Sequence, residues 1–142
     1  MAISARNVFR GKISALQDGA VNAEVELATA GGDRIVAIVT NASVKSLGLA
    51  VGKEAVAVVK APWVLLQTGK AEFRFSARNQ LGGKVAKIAR GAVNSQVKVT
   101  LTGGGTLSAV VTNEAADELG LAVGGEVTAL FKASHVLLGV PV

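Results

Sequence analysis

Residues Ile3–Thr68 read ISARNVFRGKISALQDGAVNAEVELATAGGDRIVAIVTNASVKSLGLAVGKEAVAVVKAPWVLLQT. Residues Phe75–Val140 read FSARNQLGGKVAKIARGAVNSQVKVTLTGGGTLSAVVTNEAADELGLAVGGEVTALFKASHVLLGV. Aligned without a gap at an offset of 75 − 3 = 72, the two stretches agree at 30 of 66 positions. The chain is one sequence written twice, and that repetition decides its organisation. The identities gather in SARN (Ser4–Asn7, Ser76–Asn79), GAVN (Gly19–Asn22, Gly91–Asn94), VTN (Val39–Asn41, Val111–Asn113) and LGLAVG (Leu47–Gly52, Leu119–Gly124). A last block, KA-x-x-VLL, spans Lys60–Leu66 and Lys132–Leu138. We therefore divide the chain into residues 1–70 and 71–142.

Each copy follows one pattern. Val8–Leu16 is a mixed apolar and polar run suited to a strand. Gly19 interrupts it, and Val21, Val25 and Leu27 resume it. The GGD at Gly31–Asp33 reads as a hairpin turn, and Ile35–Val39 is a further β-branched run. Asn41 is then expected to cap a short helix that ends at Gly48 in the left-handed conformation, with Asn113 and Gly120 matching them in the second copy. Glu114 stands in that helix's first turn, where the dipole favours it. Two more strands follow, at Val56–Val59 and, after Pro62, at Trp63–Leu66. Three strands, a short helix and two strands predict an all-β protein made of two tandem OB-like five-stranded barrels. A lone copy of this size is marginal in stability, whereas two can share a core.

Composition narrows the function. Half of the 142 residues are apolar and only 18% are charged. So small a chain with so little charge to coat its surface is expected to self-associate. Neither an apolar run of membrane-spanning length nor a signal-peptide core is present, which points to a cytoplasmic protein without a membrane partner. Cysteine is absent, which removes disulfides and thiolate chemistry, and His135 is the single histidine. His135 aligns with Trp63, so no duplicated active site rests on it. Of the acidic residues only Glu54 and Glu126 match, and neither a P-loop nor GxGxxG occurs. The chain is read as not an enzyme and as needing no cofactor.

What repeats is a set of anion-binding groups. Ser4, Arg6 and Asn7 recur as Ser76, Arg78 and Asn79, and Lys60 recurs as Lys132. Small residues stand around them, which lets backbone N–H groups approach a ligand closely. A hydroxyl, cations and amide donors with no repeated carboxylate suit a compact tetrahedral oxyanion. The net charge of +5 also points to an anionic partner. Trp63, Phe9, Phe73, Phe75 and Phe131 form no repeated stacking platform and read as core or interface residues.

SARN, GAVNAEV, the VT-helix-LGL segment and KAPWVLL together resemble the molybdate-binding Mop domain, and the tandem form resembles a di-Mop molbindin. The resemblance covers residues 3–140. It implies binding of molybdate or tungstate as the intact oxyanion, with no metal ligated directly by side chains, in storage or homeostasis. It also implies a homotrimer with oxyanions at interfaces between units. Ser4, Arg6, Asn7, Lys60 and Ala61 would form one half of a site, and Ser76, Arg78, Asn79, Lys132 and Ala133 another. Ala20, Val21 and Asn22, or Ala92, Val93 and Asn94, of a neighbouring unit would face them. A second type of site near the threefold axis is implied without assigned residues. The second copy departs from the pattern in KASH, where Ser134 adds a hydroxyl beside Lys132. The competing reading is a nucleic-acid-binding OB module. The even division of charge between the copies and the unrepeated aromatics argue against it.

Overall fold

The computed structural model describes residues 2–142. The first copy supplies β1 (Asn7–Asp18), β2 (Asn22–Thr29), β3 (Arg34–Thr40), α1 (Asn41–Leu47), β4 (Glu54–Val59) and β5 (Leu65–Gln67). The second supplies β6 (Asn79–Arg90), β7 (Asn94–Leu101), β8 (Thr106–Thr112), α2 (Asn113–Glu118), β9 (Glu126–Phe131) and β10 (Leu137–Gly139). A single 3₁₀ turn, Ala61–Trp63 or Ala133–His135, leads into β5 and β10. The expected order of elements thus occurs twice.

The strands form two curled antiparallel sheets of five, in the orders β10-β4-β1-β2-β3 and β5-β9-β6-β7-β8. Each sheet therefore takes its outer strand from the other copy. Leu137–Gly139 lies along Val56–Val58 of β4, and Leu65–Gln67 lies along Thr128–Leu130 of β9. β1 curls its sheet by pairing with β4 through Asn7–Lys12 and with β2 through Gly11–Asp18. Its register on β2 slips between Ile13 and Ala15, and β6 slips at the matching place, between Val85 and Lys87. Such a slip sharpens the twist of a strand and helps it bend.

Alternation builds the core. In β7, Ser95, Val97, Val99 and Leu101 point inward while Gln96, Lys98 and Thr100 face out. Ala23, Val25 and Leu27 do the same in β2. The inward residues of both sheets, among them Phe9, Ile13, Leu27, Leu107 and Phe131, make one continuous apolar cluster. The marginal single copy is thereby avoided.

The helix starts differ by one residue from the sequence expectation. Thr40 and Thr112, not Asn41 and Asn113, are the N-caps, and their hydroxyl oxygens accept the N–H of Ser43 and Ala115, each at 3.1 Å. The asparagines are the first helical residues, and their amides reach back to Gly19 O and Gly91 O at 3.0 and 2.9 Å. Gly48 and Gly120 end the helices with φ of 62° and 63°, in the left-handed region as expected.

One polar detail breaks the repeat. Asn113 Oδ1 accepts a hydrogen bond from the buried Ser95 hydroxyl at 2.6 Å. The matching Asn41 Oδ1 is buried and has no partner among the described residues, because Ala23 stands where Ser95 would be. Ala23→Ser is expected to stabilise the fold by about 1 kcal/mol, and Ser95→Ala to cost about 1–3 kcal/mol. Urea unfolding of both variants checks this; a destabilised Ala23→Ser protein would refute it.

Candidate anion-binding site

The register of β1 on β4, and of β6 on β9, brings together the strand ends that flank the expected site residues. Asn7 lies opposite Val59, and Asn79 lies opposite Phe131. Ser4–Arg6 directly precede Asn7 while Lys60 and Ala61 directly follow Val59, and Ser76–Arg78 and Lys132–Ala133 flank Asn79 and Phe131 in the same way, so the paired residues bring the ends of the two segments together. Ser4, Arg6, Lys60, Ser76, Arg78 and Lys132 are exposed, while Ala61 and Ala133 are buried. Lys60 and Lys132 share one backbone conformation, φ −74° and ψ 138°, although Pro62 follows one and Ser134 the other. Substitution within KAPW and KASH leaves the lysine's backbone conformation unchanged.

The facing half sits elsewhere. Ala20 and Val21, like Ala92 and Val93, form exposed turns at the far ends of β1 and β6, and the exposed Asn22 and Asn94 open β2 and β7. Gly19 N–H closes the first loop on Asn22 O at 2.9 Å, and Asn41 N–H holds Val21 O at 2.9 Å. A strand of twelve residues at roughly 3.3 Å each separates these loops from the Ser-Arg-Asn segment of the same copy. Any site that uses both halves must draw them from different units.

The two asparagines of the expected site are engaged between the copies. Asn79 Nδ2 donates to Val36 O and its Oδ1 accepts the Val36 N–H, both at 2.8 Å. Asn7 does the same with Ser108, at 2.8 and 2.7 Å. Both side chains are buried, so these positions can offer a ligand only their backbone. The four bonds also display an internal pseudo-twofold, since exchanging the copies carries one clamp onto the other.

A carboxylate that sequence reasoning passed over stands beside one of the arginines. Arg78 forms an ion pair with Glu24 of β2. Glu24 aligns with Gln96 and does not repeat, which sets it aside when the site is sought among repeated residues. Arg6 has no carboxylate partner among the described residues. Elsewhere Arg34 pairs with Glu26, and Arg90 with Asp117 at 2.9 Å. The Arg90 hydrogen bond holds the Asp117 carboxyl below the usual range, and Asp117 raises Arg90 in turn. Phe9 and Phe131 belong to the core, whereas Trp63, Phe73 and Phe75 are exposed. The Trp63 ring meets that of His135 at 4.7 Å between centroids, so the unrepeated pair faces itself across the pseudo-twofold. No helix among the described residues is long and apolar enough to cross a membrane.

Comparison with known proteins gives consistent results. The TOBE domain model matches residues 3–66 and 76–138. The chain is 46% identical over 140 residues to the molybdenum transport protein ModE of Herbaspirillum seropedicae, covering 99% of this chain and 52% of that protein. It is 45% identical over 141 residues to the molybdenum-pterin-binding protein MopA of Rhodobacter capsulatus, covering 99% and 53%. The chain thus spans about half the length of the curated relatives it matches. Among solved structures it superposes on the cytoplasmic molybdate-binding protein ModG, crystallised with molybdate bound. The TM-score is 0.95 at 57% identity, over 99% of this chain and 100% of that one.

Proposed function

We propose a function that starts from family membership: the chain belongs to the TOBE domain family and carries two copies of that domain in tandem. It binds molybdate reversibly as an intact tetrahedral dianion and breaks no bond in doing so. Tungstate, of nearly equal size and charge, binds as well. The role is storage and homeostasis in the cytoplasm. Residues 1–70 and 71–142 act as one unit, because each copy completes the other's sheet. Ser4, Arg6, Lys60 and Ala61, and separately Ser76, Arg78, Lys132 and Ala133, form the cationic halves, with Asn7 and Asn79 contributing backbone. Ala20–Asn22 and Ala92–Asn94 of neighbouring units close them.

The observation that carries this reading is the twofold juxtaposition of SARN with KA at a strand end, in a chain that matches a molybdate-bound protein from end to end. The physics agrees with it. Charge-assisted bonds from lysine, arginine and hydroxyl groups hold an anion strongly. Donors fixed on a sheet need little ordering when the ligand arrives. Sites shared between units also call for an oligomer, and we propose a homotrimer. Supporting it, the exposed apolar residues recur at the 72-residue offset: Ile3 with Phe75, Val21 with Val93, Val51 with Val123, and Leu65 with Leu137.

Isothermal titration with molybdate, tungstate, sulfate and phosphate tests the reading. Molybdate and tungstate are expected to bind tightly, and sulfate and phosphate weakly. Lys60→Ala combined with Lys132→Ala should weaken molybdate binding roughly tenfold to a hundredfold, the worth of a charged hydrogen bond. Glu54→Gln, at the opposite end of β4 from Lys60, should change it little. Silence toward every oxyanion would refute the proposal. Sedimentation of the loaded protein should give three times the 14.3 kDa chain mass.

A further inference from the structure

The two copies present their anion-binding segments alike in backbone but not in charge. Exchange of the copies carries the Asn79–Val36 clamp onto Asn7–Ser108. The same exchange carries the Arg78–Glu24 ion pair onto Arg6 and Gln96. Two residues further along the strand, Glu26 in β2 matches Lys98 in β7. Arg78 lines an open cleft of about 510 Å³ between the copies, together with Arg34, Gln80 and Gly103. Arg34, too, is held by a carboxylate, that of Glu26.

We propose that the two oxyanion sites of the chain are unequal: the Arg6–Lys60 site is the stronger, and Glu24, by engaging Arg78, keeps the Arg78–Lys132 site weaker. The inference rests on the oxyanion reading above and adds to it the residue that sets relative affinity. A dianion approaching the first segment meets Lys60 and Arg6, a local charge of 1 + 1 = +2. At the second segment it meets Lys132, Arg78 and Glu24, a local charge of 1 + 1 − 1 = +1. Arg78 and Glu24 keep 55% and 31% of their side-chain surface exposed, so the pair is one that a competing anion can open. Glu24 then acts as a resident competitor for the guanidinium. Two sites of different strength fill one after the other, and a single chain thereby buffers its ligand over a wider range of free concentration than two equal sites would.

The neighbouring difference between Pro62 and Ser134 also distinguishes the sites, so the test uses reciprocal exchange of the acidic position alone. The purified chain, Glu24→Gln and Gln96→Glu are titrated calorimetrically with sodium molybdate in buffer free of sulfate and phosphate. The unaltered chain is expected to bind in two steps. Glu24→Gln should tighten the weaker step roughly three- to tenfold, the order of one charge–dianion repulsion at short range in a watery environment. Gln96→Glu should weaken the stronger step by a similar factor. Circular dichroism checks that both variants keep the fold, which is expected for near-isosteric changes at the surface. Glu24→Gln constants within twofold of the unaltered chain's, with molybdate still bound, would overturn the proposal. Absence of molybdate binding in all three proteins would instead overturn the oxyanion reading, and this inference with it.

Discussion

Replacing Gly83 with alanine is expected to cost about 3 kcal/mol or more of folding stability, at the upper end of what overpacking exacts. Gly11→Ala, the matching change in the first copy, should do the same. A Cβ at Gly11 would lie 2.1 Å from Ala28 O and 2.8 Å from Ala28 C. At Gly83 it would lie 2.3 Å from Thr100 O and 2.9 Å from a Val99 methyl. The closest atoms are backbone atoms of the paired strand, which no change of rotamer can move aside. Relief requires β1 to part from β2, or β6 from β7, and with it the loss of ladder hydrogen bonds. Gly82 is the internal control. A Cβ there meets only Thr102 Oγ1 at 3.8 Å, and the first copy carries Arg10 at that position. Gly82→Ala should therefore lie within about 0.5 kcal/mol of the unaltered protein, or gain slightly from a stiffer unfolded chain. Urea unfolding of the three variants decides the matter. Equal midpoints for Gly82→Ala and Gly83→Ala would refute the steric argument.

Asn79→Ala should cost about 1–3 kcal/mol, because it leaves two part-buried backbone groups without their partner. Both ends of the Asn79 amide are bonded to Val36, a residue of the other copy, and its side chain is 2% exposed. The asparagine thus serves Val36 as a neighbouring strand would, with one donor and one acceptor. Asn79→Asp keeps an acceptor for the Val36 N–H, loses the donor for its carbonyl, and buries a charge, so it should be no better tolerated. Asn7→Ala is expected to act alike through Ser108. Amide hydrogen exchange gives the specific readout: protection at Val36 should fall in Asn79→Ala and at Ser108 in Asn7→Ala. Unchanged protection at those amides would remove the clamp role.

Much of this architecture was legible before any coordinates. The offset of 72 fixed two like halves. The β-branched run Ile35–Val39 marked a strand, and Gly48 and Gly120 marked helix ends, because a left-handed residue after a short helix is best supplied by glycine. The helix starts were misplaced by one because Thr40-Asn41 offers two adjacent capping residues, and only the backbone conformation chooses between them. The exchange of the fifth strands was illegible for a deeper reason. Glu54–Val59 and Glu126–Phe131 are copies of one strand with one pattern of burial, so either could receive Leu65–Gln67. Periodicity reports which face of a strand is buried and is silent on which of two equivalent edges it joins. For the site, repetition drew attention to Ser4, Arg6, Lys60 and their partners. The same filter sets aside Glu24, the ion-pair partner of Arg78, because Gln96 stands at the matching position.

The exchanged strands also constrain how the chain can be made. During synthesis Leu65–Gln67 leaves the ribosome long before its mature partner β9, and β4 waits with an open edge for Leu137–Gly139. The first acceptor on offer to Leu65–Gln67 is therefore the edge of its own copy, or that of a nearby nascent chain, and either pairing is wrong. Both fifth strands are only three residues long. Such a short ladder is held by few hydrogen bonds and dissociates easily, so an early, local pairing is erased rather than trapped. The brevity of these strands keeps a late-arriving, distant partner in competition with an early, near one.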